Sequence, residues 1–236
     1  MPNKNNMYEF SQNSTRNFIG GACPYQCKYC YVQDLKRRNE VIRKKYSGKP
    51  FLCHNELKKG FGRRDSSKIW FIGTMTDMFA ESVPPTLIET VLNRLRQFPE
   101  TTFLFQSKNP ERFTEFEFPR KSILCTTIES NLDYPGMSLA SKVKERAGWI
   151  AAAGMEKELP IMITVEPILD FNVKKFTELL LVAGLYQVNI GADSKGNKLP
   201  EPSWEKVTEL IAELQRFDIK VYLKPNLKRL IDKHLI

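Results

Sequence analysis

No stretch of this chain approaches the roughly 18 consecutive apolar residues that a membrane-spanning helix needs. The first ten residues, MPNKNNMYEF, lack the apolar core of a secretory signal. These absences set the expectation of a soluble, cytoplasmic protein with no membrane partner. Histidine is scarce: His54 and His234 are the only two, and both are expected at the surface rather than as general bases. Cysteine is scarce as well. Five is an odd number, and a reducing compartment argues against a disulfide framework. No low-complexity tract or linker interrupts the 236 residues, so residues 1–236 are expected to form one domain. Hydrophobic residues make up 42%, enough to fill a sizeable core.

Charge is unevenly spread. Residues 1–66 hold 14 Lys/Arg against 5 Asp/Glu, and residues 67–236 hold 22 of each, so the whole net charge of +9 lies in the first segment. A solvated surface explains this, and so does a basic rim for a polyanion such as nucleic acid. The surplus comes mainly from Lys36, Arg37, Arg38, Arg43, Lys44, Lys45, Lys49, Lys58, Lys59, Arg63 and Arg64.

After residue 66, apolar strand-like runs alternate with amphipathic helical ones. KIWFIGT (68–74) precedes 84–98, and TTFLFQS (101–107) precedes NPERFTEF, where Asn109 suits a cap and Pro110 the first helical turn. KSILCTTIES (121–130) precedes 138–154, with Gly154 as the expected stop. PIMITVEPIL (160–169), YQVNIGA (186–192) and KVYLKP (220–225) continue the series, and STRNFIGG (14–21) brings the count to about seven strands. Strands alternating with helices imply right-handed crossovers and a parallel sheet. The chain falls short of the ~250 residues of an eight-unit barrel, and residues 33–66 read as a basic, irregular segment. The expected fold is α/β, a partial (β/α)6-type TIM barrel, with a doubly wound open sheet as the alternative.

Side chains alternate faces along a strand, so polar residues at every second place share one side. That parity groups Gln106 with Lys108, Cys125 with Thr127 and Glu129, Thr164 with Glu166, Gln187 with Asn189, and Tyr222 with Lys224. Several such sets in otherwise apolar strands point to a polar chamber. Trp70, Phe103, Phe105 and Trp149 are expected in the core.

Residues 23–30, CPYQCKYC, hold three of the five cysteines. Structural zinc takes four ligands, usually in two pairs. Cys53 and His54 are the nearest additional ligands, and no second pair exists. Three thiolates also suit a 4Fe–4S cube with one iron left open, which a chelating cofactor requires.

The CxxxCxxC spacing of Cys23, Cys27 and Cys30, with the aromatic Tyr29 before the last, resembles the signature of the radical S-adenosylmethionine (radical SAM) superfamily. GTMTDMF (73–79), FQSKNPERF (105–113), TVEP (164–167) and NIGADS (189–194) extend the likeness to small phage-associated, spore photoproduct lyase-like members across residues 14 to about 226. The resemblance implies a radical SAM core: residues 14–32 as first strand and cluster loop, 33–66 as the basic segment, and 67–236 as the remaining units. It implies a 4Fe–4S cluster on Cys23, Cys27 and Cys30, and S-adenosylmethionine on its open iron. Reductive cleavage there yields methionine and a 5′-deoxyadenosyl radical, with the electron supplied by an external donor such as flavodoxin or ferredoxin.

The same resemblance suggests roles. Gly73, Thr74 and Asp77 stand where the methionine amino group is received, although the common pattern there is Gly-Gly-Glu. Thr127 and Glu129 stand where the ribose is held. Glu166, Asn189, Gly191 and Tyr29 belong to the cofactor surroundings, the latter three against adenine. Structural ion pairs of Glu129 and Glu166 with Lys108 or Lys224 are the competing reading. Gln106, Lys108, Tyr222 and Lys224 remain for substrate. Cys125 is a buried small hydrophobe or, facing the chamber, a hydrogen-atom donor. Cys53 is an incidental thiol. The implied function is a radical SAM enzyme acting on a nucleotide or nucleic acid, in repair or modification. The alternatives are a small-metabolite or peptide substrate, and a non-catalytic metal-binding nucleic-acid module.

Overall fold

A computed structural model describes residues 14–62 and 67–234. The chain opens with two short strands, β1 (Thr15–Arg16) and β2 (Ile19–Gly20), where one strand was expected. They part company because β1 pairs parallel with β4 (Ile69–Ile72), while β2 pairs antiparallel with β3 (Phe51–Leu52). The segment expected to be irregular is ordered: α1 (Tyr31–Arg38), α2 (Glu40–Lys45) and α3 (His54–Leu57) flank β3. Asn39 caps α2 by accepting from Ile42 N, and basic residues crowd the last turns of α1 and α2, where the helix dipole favours them. Arg63 and Arg64 lie outside the described residues, as does the side chain of His234.

The remainder alternates as the periodicity requires. The strands are β5 (Thr102–Gln106), β6 (Ser122–Thr127), β7 (Ile161–Val165), β8 (Gln187–Ile190) and β9 (Lys220–Leu223). The helices are α4 (Pro85–Arg96), α5 (Val143–Lys157), α6 (Val173–Val182), α7 (Trp204–Gln215) and α8 (Lys228–His234). The seven-stranded sheet runs β1-β4-β5-β6-β7-β8-β9, every neighbour parallel. Strand order never reverses, so the switch point of a doubly wound sheet is missing and that alternative is excluded. Among the described residues, no helix is long and apolar enough to cross a membrane.

The helices share one face of the sheet. Ile88, Leu92, Ala147, Ile150, Phe176, Leu180, Val207 and Leu210 pack with Trp70, Phe103, Phe105, Leu124, Ile163, Val188 and Ile190 in a single core. The opposite face carries a much smaller apolar cluster of Phe71, Leu104, Ile123, Cys125 and Met162. Successive strand residues divide between the two, which is the expected parity.

Four local expectations fail for tertiary reasons. NPERF forms only a 3-10 turn at Pro110–Phe113, and Asn109 makes no side-chain cap; its amide donates to Phe79 O instead. Residues 138–142 do not join α5, because Leu139 N donates to Tyr25 O. Helix α5 passes through Gly154 to Lys157, with Glu158 left-handed at φ 52°. Gly154 is a packing residue, since a Cβ there would lie 2.2 Å from Ile161 Cδ1. Trp149 is 40% exposed, not core, because it faces away from the sheet on α5.

Candidate functional site

The cysteine loop follows β2 directly. Gly21, at φ 101°, turns the chain where a Cβ would meet Lys49 O and Pro50 Cα, both at 2.7 Å. Tyr25 is buried beneath the loop, and its carbonyl accepts from Leu139 N at 2.8 Å. Lys28 N donates to Met137 O at 2.9 Å, and Ser138 Oγ lies 3.4 Å from Cys27 Sγ. The connection after β6 therefore clamps the loop from one side.

Cys23, Cys27 and Cys30 are all partly exposed. Burial and the nearby Asp77 carboxylate push the Cys23 thiol up to about 11, against the backbone amides of Tyr25 and Asp77. Burial also raises Cys30, against the amides of Val32 and Gln33 at the start of α1. Amides gathered around buried sulfurs with little positive charge make a pocket that favours thiolates once a cationic centre is present. Among the described residues, no three His, Cys, Asp or Glu side chains converge as ligands of a single ion. Cys53 is buried beside Lys45 and Tyr46, and His54 is exposed.

The ends of β4, β5 and β6 meet this loop. Gly73 takes φ 79°, and Asn17 fixes the residues after it: Met75 N donates to Asn17 Oδ1 at 3.0 Å, and Asn17 Nδ2 donates to Thr74 Oγ1 at 3.1 Å. Tyr31 OH donates to Thr74 O at 2.6 Å. Asp77 Oδ1 accepts from Phe79 N at 3.0 Å and Ser107 Oγ at 2.8 Å, and Oδ2 accepts from Lys108 N at 2.8 Å. Burial raises its pKa, and these donors oppose the rise. A carboxylate offers about four acceptor positions, so one remains on Oδ2.

Glu129 is 4% exposed and lies two residues past β6. Its Oε1 accepts from Tyr29 OH and Lys108 Nζ, and its Oε2 accepts from Arg146 Nη2 at 2.9 Å. Burial alone would raise its pKa, but Lys108 and Arg146 hold it well below the usual carboxylate range. Burial and Glu129 keep Tyr29 protonated, hence a donor. Arg146 also donates to Thr127 O and Ser141 O. The competing reading of an ion pair with Lys108 is therefore observed, with one acceptor position left on Oε2. Arg146 carries no role in the sequence reading. Its signal was present, because it sits on the apolar stripe Val143–Ala147–Ile150 of α5, where an arginine needs a buried partner.

Across the sheet, Glu166 accepts from Lys224 Nζ and from Asn226 Nδ2 at 3.0 Å. It lies against Gly191, where a Cβ would come within 2.8 Å of its carboxyl carbon. Between these two groups runs a polar layer. Thr127, Thr164, Asn189 and Tyr222 are neighbours in register, and Gln106 Nε2 donates to Thr127 Oγ1 at 2.8 Å. Cys125 shares this face, fully buried in the apolar cluster with Met162, its sulfur 3.5 Å from Thr164 Oγ1. A separate cavity of about 340 Å3, lined by Glu129, Tyr134, Ser138, Arg146 and Leu169 among others, opens beside the first carboxylate.

The family described as "Protein of unknown function (DUF5131)" matches residues 13–178. The chain belongs to this family. No curated protein is similar to it in sequence. Among solved structures, a spore photoproduct lyase mutant with bound AdoMet and dinucleoside spore photoproduct superimposes with a TM-score of 0.59 at 12% identity, covering 88% of this chain and 75% of that one. Spore photoproduct lyase complexed with dinucleoside spore photoproduct gives 0.61 at 12% identity, covering 87% and 74%. Streptococcus suis SuiB bound to S-adenosylmethionine gives 0.54 at 7% identity, covering 89% of this chain and 49% of SuiB. At these identities the likeness is one of fold. This DUF5131 chain has the radical SAM fold.

Proposed function

We propose that this DUF5131 protein is a radical SAM enzyme whose Cys23, Cys27 and Cys30 hold a 4Fe–4S cluster. One observation carries the reading. Three partly exposed cysteines occupy one loop; Tyr29 of that loop donates to Glu129 beyond β6, Lys108 beyond β5 shares that carboxylate, and Asp77 beyond β4 lies beside Cys23. The unreversed strand order, with α4 to α8 on one face, supports an incomplete barrel whose inner face is the polar layer.

Cys23, Cys27 and Cys30 would hold the cluster, which, reduced by a donor such as flavodoxin or ferredoxin, would supply the electron for cleavage of S-adenosylmethionine to methionine and a 5′-deoxyadenosyl radical. The chain's own residues bind and orient. Asp77 offers its remaining acceptor position to the methionine amino group, beside the backbone of Gly73 and Thr74. Glu129 offers its remaining position to the ribose, with Thr127 beside it. Tyr29, Glu166, Asn189 and Gly191 complete the cofactor walls, and Gln106, Lys108, Tyr222 and Lys224 face the substrate.

The proposed substrate is nucleic acid. Arg37, Arg38, Arg43, Lys44, Lys49, Lys58 and Lys59 are exposed on the segment that follows the cluster loop. Each phosphate they neutralise releases counterions, so affinity should fall with salt at a log–log slope near −0.9 per contact on duplex DNA. Two measurements test the reading. Anaerobic, reduced protein should release 5′-deoxyadenosine, and a variant with all three cysteines changed to Ala should lose iron, sulfide and this activity. DNA or RNA binding should weaken steeply with salt, and a variant with Lys44, Lys49, Lys58 and Lys59 changed to Glu should bind more weakly and with a shallower salt slope. A full cluster in the cysteine variant refutes the metal assignment. Cleavage without polyanion binding moves the substrate to a small metabolite or peptide.

A further inference from the structure

We propose that Ser138 donates a hydrogen bond to the Cys27 sulfur when that sulfur ligates iron, and so raises the reduction potential of the cluster. The inference rests on the cluster reading above and assigns a tuning residue outside the cysteine loop. Ser138 belongs to the connection between β6 and α5, 111 residues from Cys27 in sequence. Both of its chain neighbours are bonded to the cysteine loop. Met137 O accepts from Lys28 N at 2.9 Å, and Leu139 N donates to Tyr25 O at 2.8 Å. Backbone bonds on either side therefore fix the serine opposite the loop, with its Oγ 3.4 Å from Cys27 Sγ.

Counting hydrogens shows what ligation does to this contact. A serine hydroxyl has one hydrogen to give and two lone pairs to receive. Ala140 N donates to Ser138 Oγ at 3.1 Å and occupies one lone pair. Tyr25 O, at 3.3 Å, takes the hydroxyl hydrogen. The second lone pair faces Cys27, whose thiol hydrogen can fill it. A sulfur bonded to iron carries no hydrogen and can only accept. An unturned hydroxyl would then hold a lone pair against an anionic sulfur. Turning the O–H from Tyr25 O to Cys27 Sγ removes that conflict and makes a charge-assisted bond. Tyr25 O is not left bare, because Leu139 N still donates to it.

One-electron reduction adds negative charge to a cluster and its thiolates, and it takes no proton from Ser138. A donor aimed at a ligating sulfur stabilises the reduced state more than the oxidised one, and such hydrogen bonds are among the levers that set these potentials. Cys23 and Cys30 have backbone amides beside them, which no side-chain replacement removes. At Cys27 the donor is a side chain, so substitution can remove it. Ser138 also lines the cavity of about 340 Å3 beside Glu129, so water can enter where an Ala variant leaves room. Val fills the place without a donor, and Thr has the shape of Val with the donor restored.

The test uses the full chain, reconstituted anaerobically and titrated with dithionite in the absence of S-adenosylmethionine. Iron and sulfide are measured first, and the reduced cluster is then followed by electron paramagnetic resonance against potential. At the wild-type midpoint, Ser138→Val should lower the ratio of reduced to oxidised cluster roughly three- to tenfold, a midpoint lower by about 30–60 mV for a one-electron couple. Ser138→Ala should move the same way, and Ser138→Thr should stay at the wild-type potential. Iron and sulfide should be equal in all four proteins. Equal potentials for the Val and Thr variants overturn the proposal, because shape rather than the hydroxyl then matters. If the Val variant does not fold, Ala against Thr decides on the same terms. Loss of the cluster from every variant, Thr included, also overturns it, since Ser138 then only holds the loop. A wild type that binds no iron and sulfide refutes the cluster reading itself, and the metal analysis shows this before any titration.

Discussion

Glu129 and Glu166 stand at corresponding places on neighbouring strands, each just beyond the end of its own and each bonded to a lysine. Their surroundings differ. Glu129 binds two cations and the tyrosine of the cysteine loop, so it joins three separate pieces of chain: the loop, the end of β5 and helix α5. Glu166 binds Lys224 and Asn226, both from the segment at the end of β9. Parity makes the two carboxylates equivalent, and their partners make one a tie between the cysteine loop and the sheet, the other a tie along the sheet's far edge.

Substitution separates them. Glu129→Gln leaves Lys108 and Arg146 buried without their counter-charge, and removing one member of a buried pair costs about 3–5 kcal/mol. Anaerobic urea denaturation should show that loss, and iron retention should fall because the two uncompensated cations loosen the tie between the cysteine loop, the end of β5 and α5. The pH dependence has a definite sign. The folded pKa of Glu129 lies below its unfolded value, so its contribution is complete above about pH 4.3 and declines as the pH falls below that point. The stability gap between wild type and Glu129→Gln should therefore narrow on acidification. An unchanged gap means that the carboxylate's charge does not hold this region together.

Glu166→Gln should cost less, about 1–3 kcal/mol, because Asn226 can still donate to the amide oxygen and one cation rather than two is left. Iron content should stay at the wild-type level. If both variants lose iron equally, the division of labour between the two walls is wrong. Asp77 is a poorer place for such a test: in Asp77→Asn one amide N–H would oppose the donor at Ser107 Oγ or Lys108 N, so a loss of cofactor binding would be confounded with a displaced loop.

The smallest expected effect concerns the floor between the walls. Cys125 is fully buried among Leu104, Ile123 and Met162. Cys125→Ala removes one sulfur from this layer and should cost about 1 kcal/mol, with release of 5′-deoxyadenosine unchanged. A changed product with intact cofactor cleavage would show that the thiol is a hydrogen-atom donor rather than packing.

Much of this arrangement was legible in the sequence, because it depends on local rules. The alternation that separates Thr127, Thr164 and Asn189 from Leu124, Ile163 and Val188 is a property of extended backbone. The β/α order follows from periodicity, and the cysteine spacing needs no tertiary information at all. Residues 33–66 were misread because their elements are short: β3 is two residues long and exists only through its pairing with β2. A two-residue strand leaves no period to detect.

Tertiary structure alone decided who meets whom. Tyr29 and Glu129 are 100 residues apart in sequence, Lys108 and Glu129 are 21 apart, and Glu166 and Lys224 are 58 apart. Nothing local couples such positions, since each contact exists only after parallel strands have brought their C-terminal ends together. The same holds for Asn109, which donates to Phe79 O instead of capping, and for Gly154, which packs against Ile161 instead of ending a helix. The sequence by itself determined which face each strand residue takes and where the thiols lie. The fold decided which charges those faces neutralise, because burial makes an unpaired charge too costly to keep and the nearest opposite charge is found across the sheet rather than along the chain.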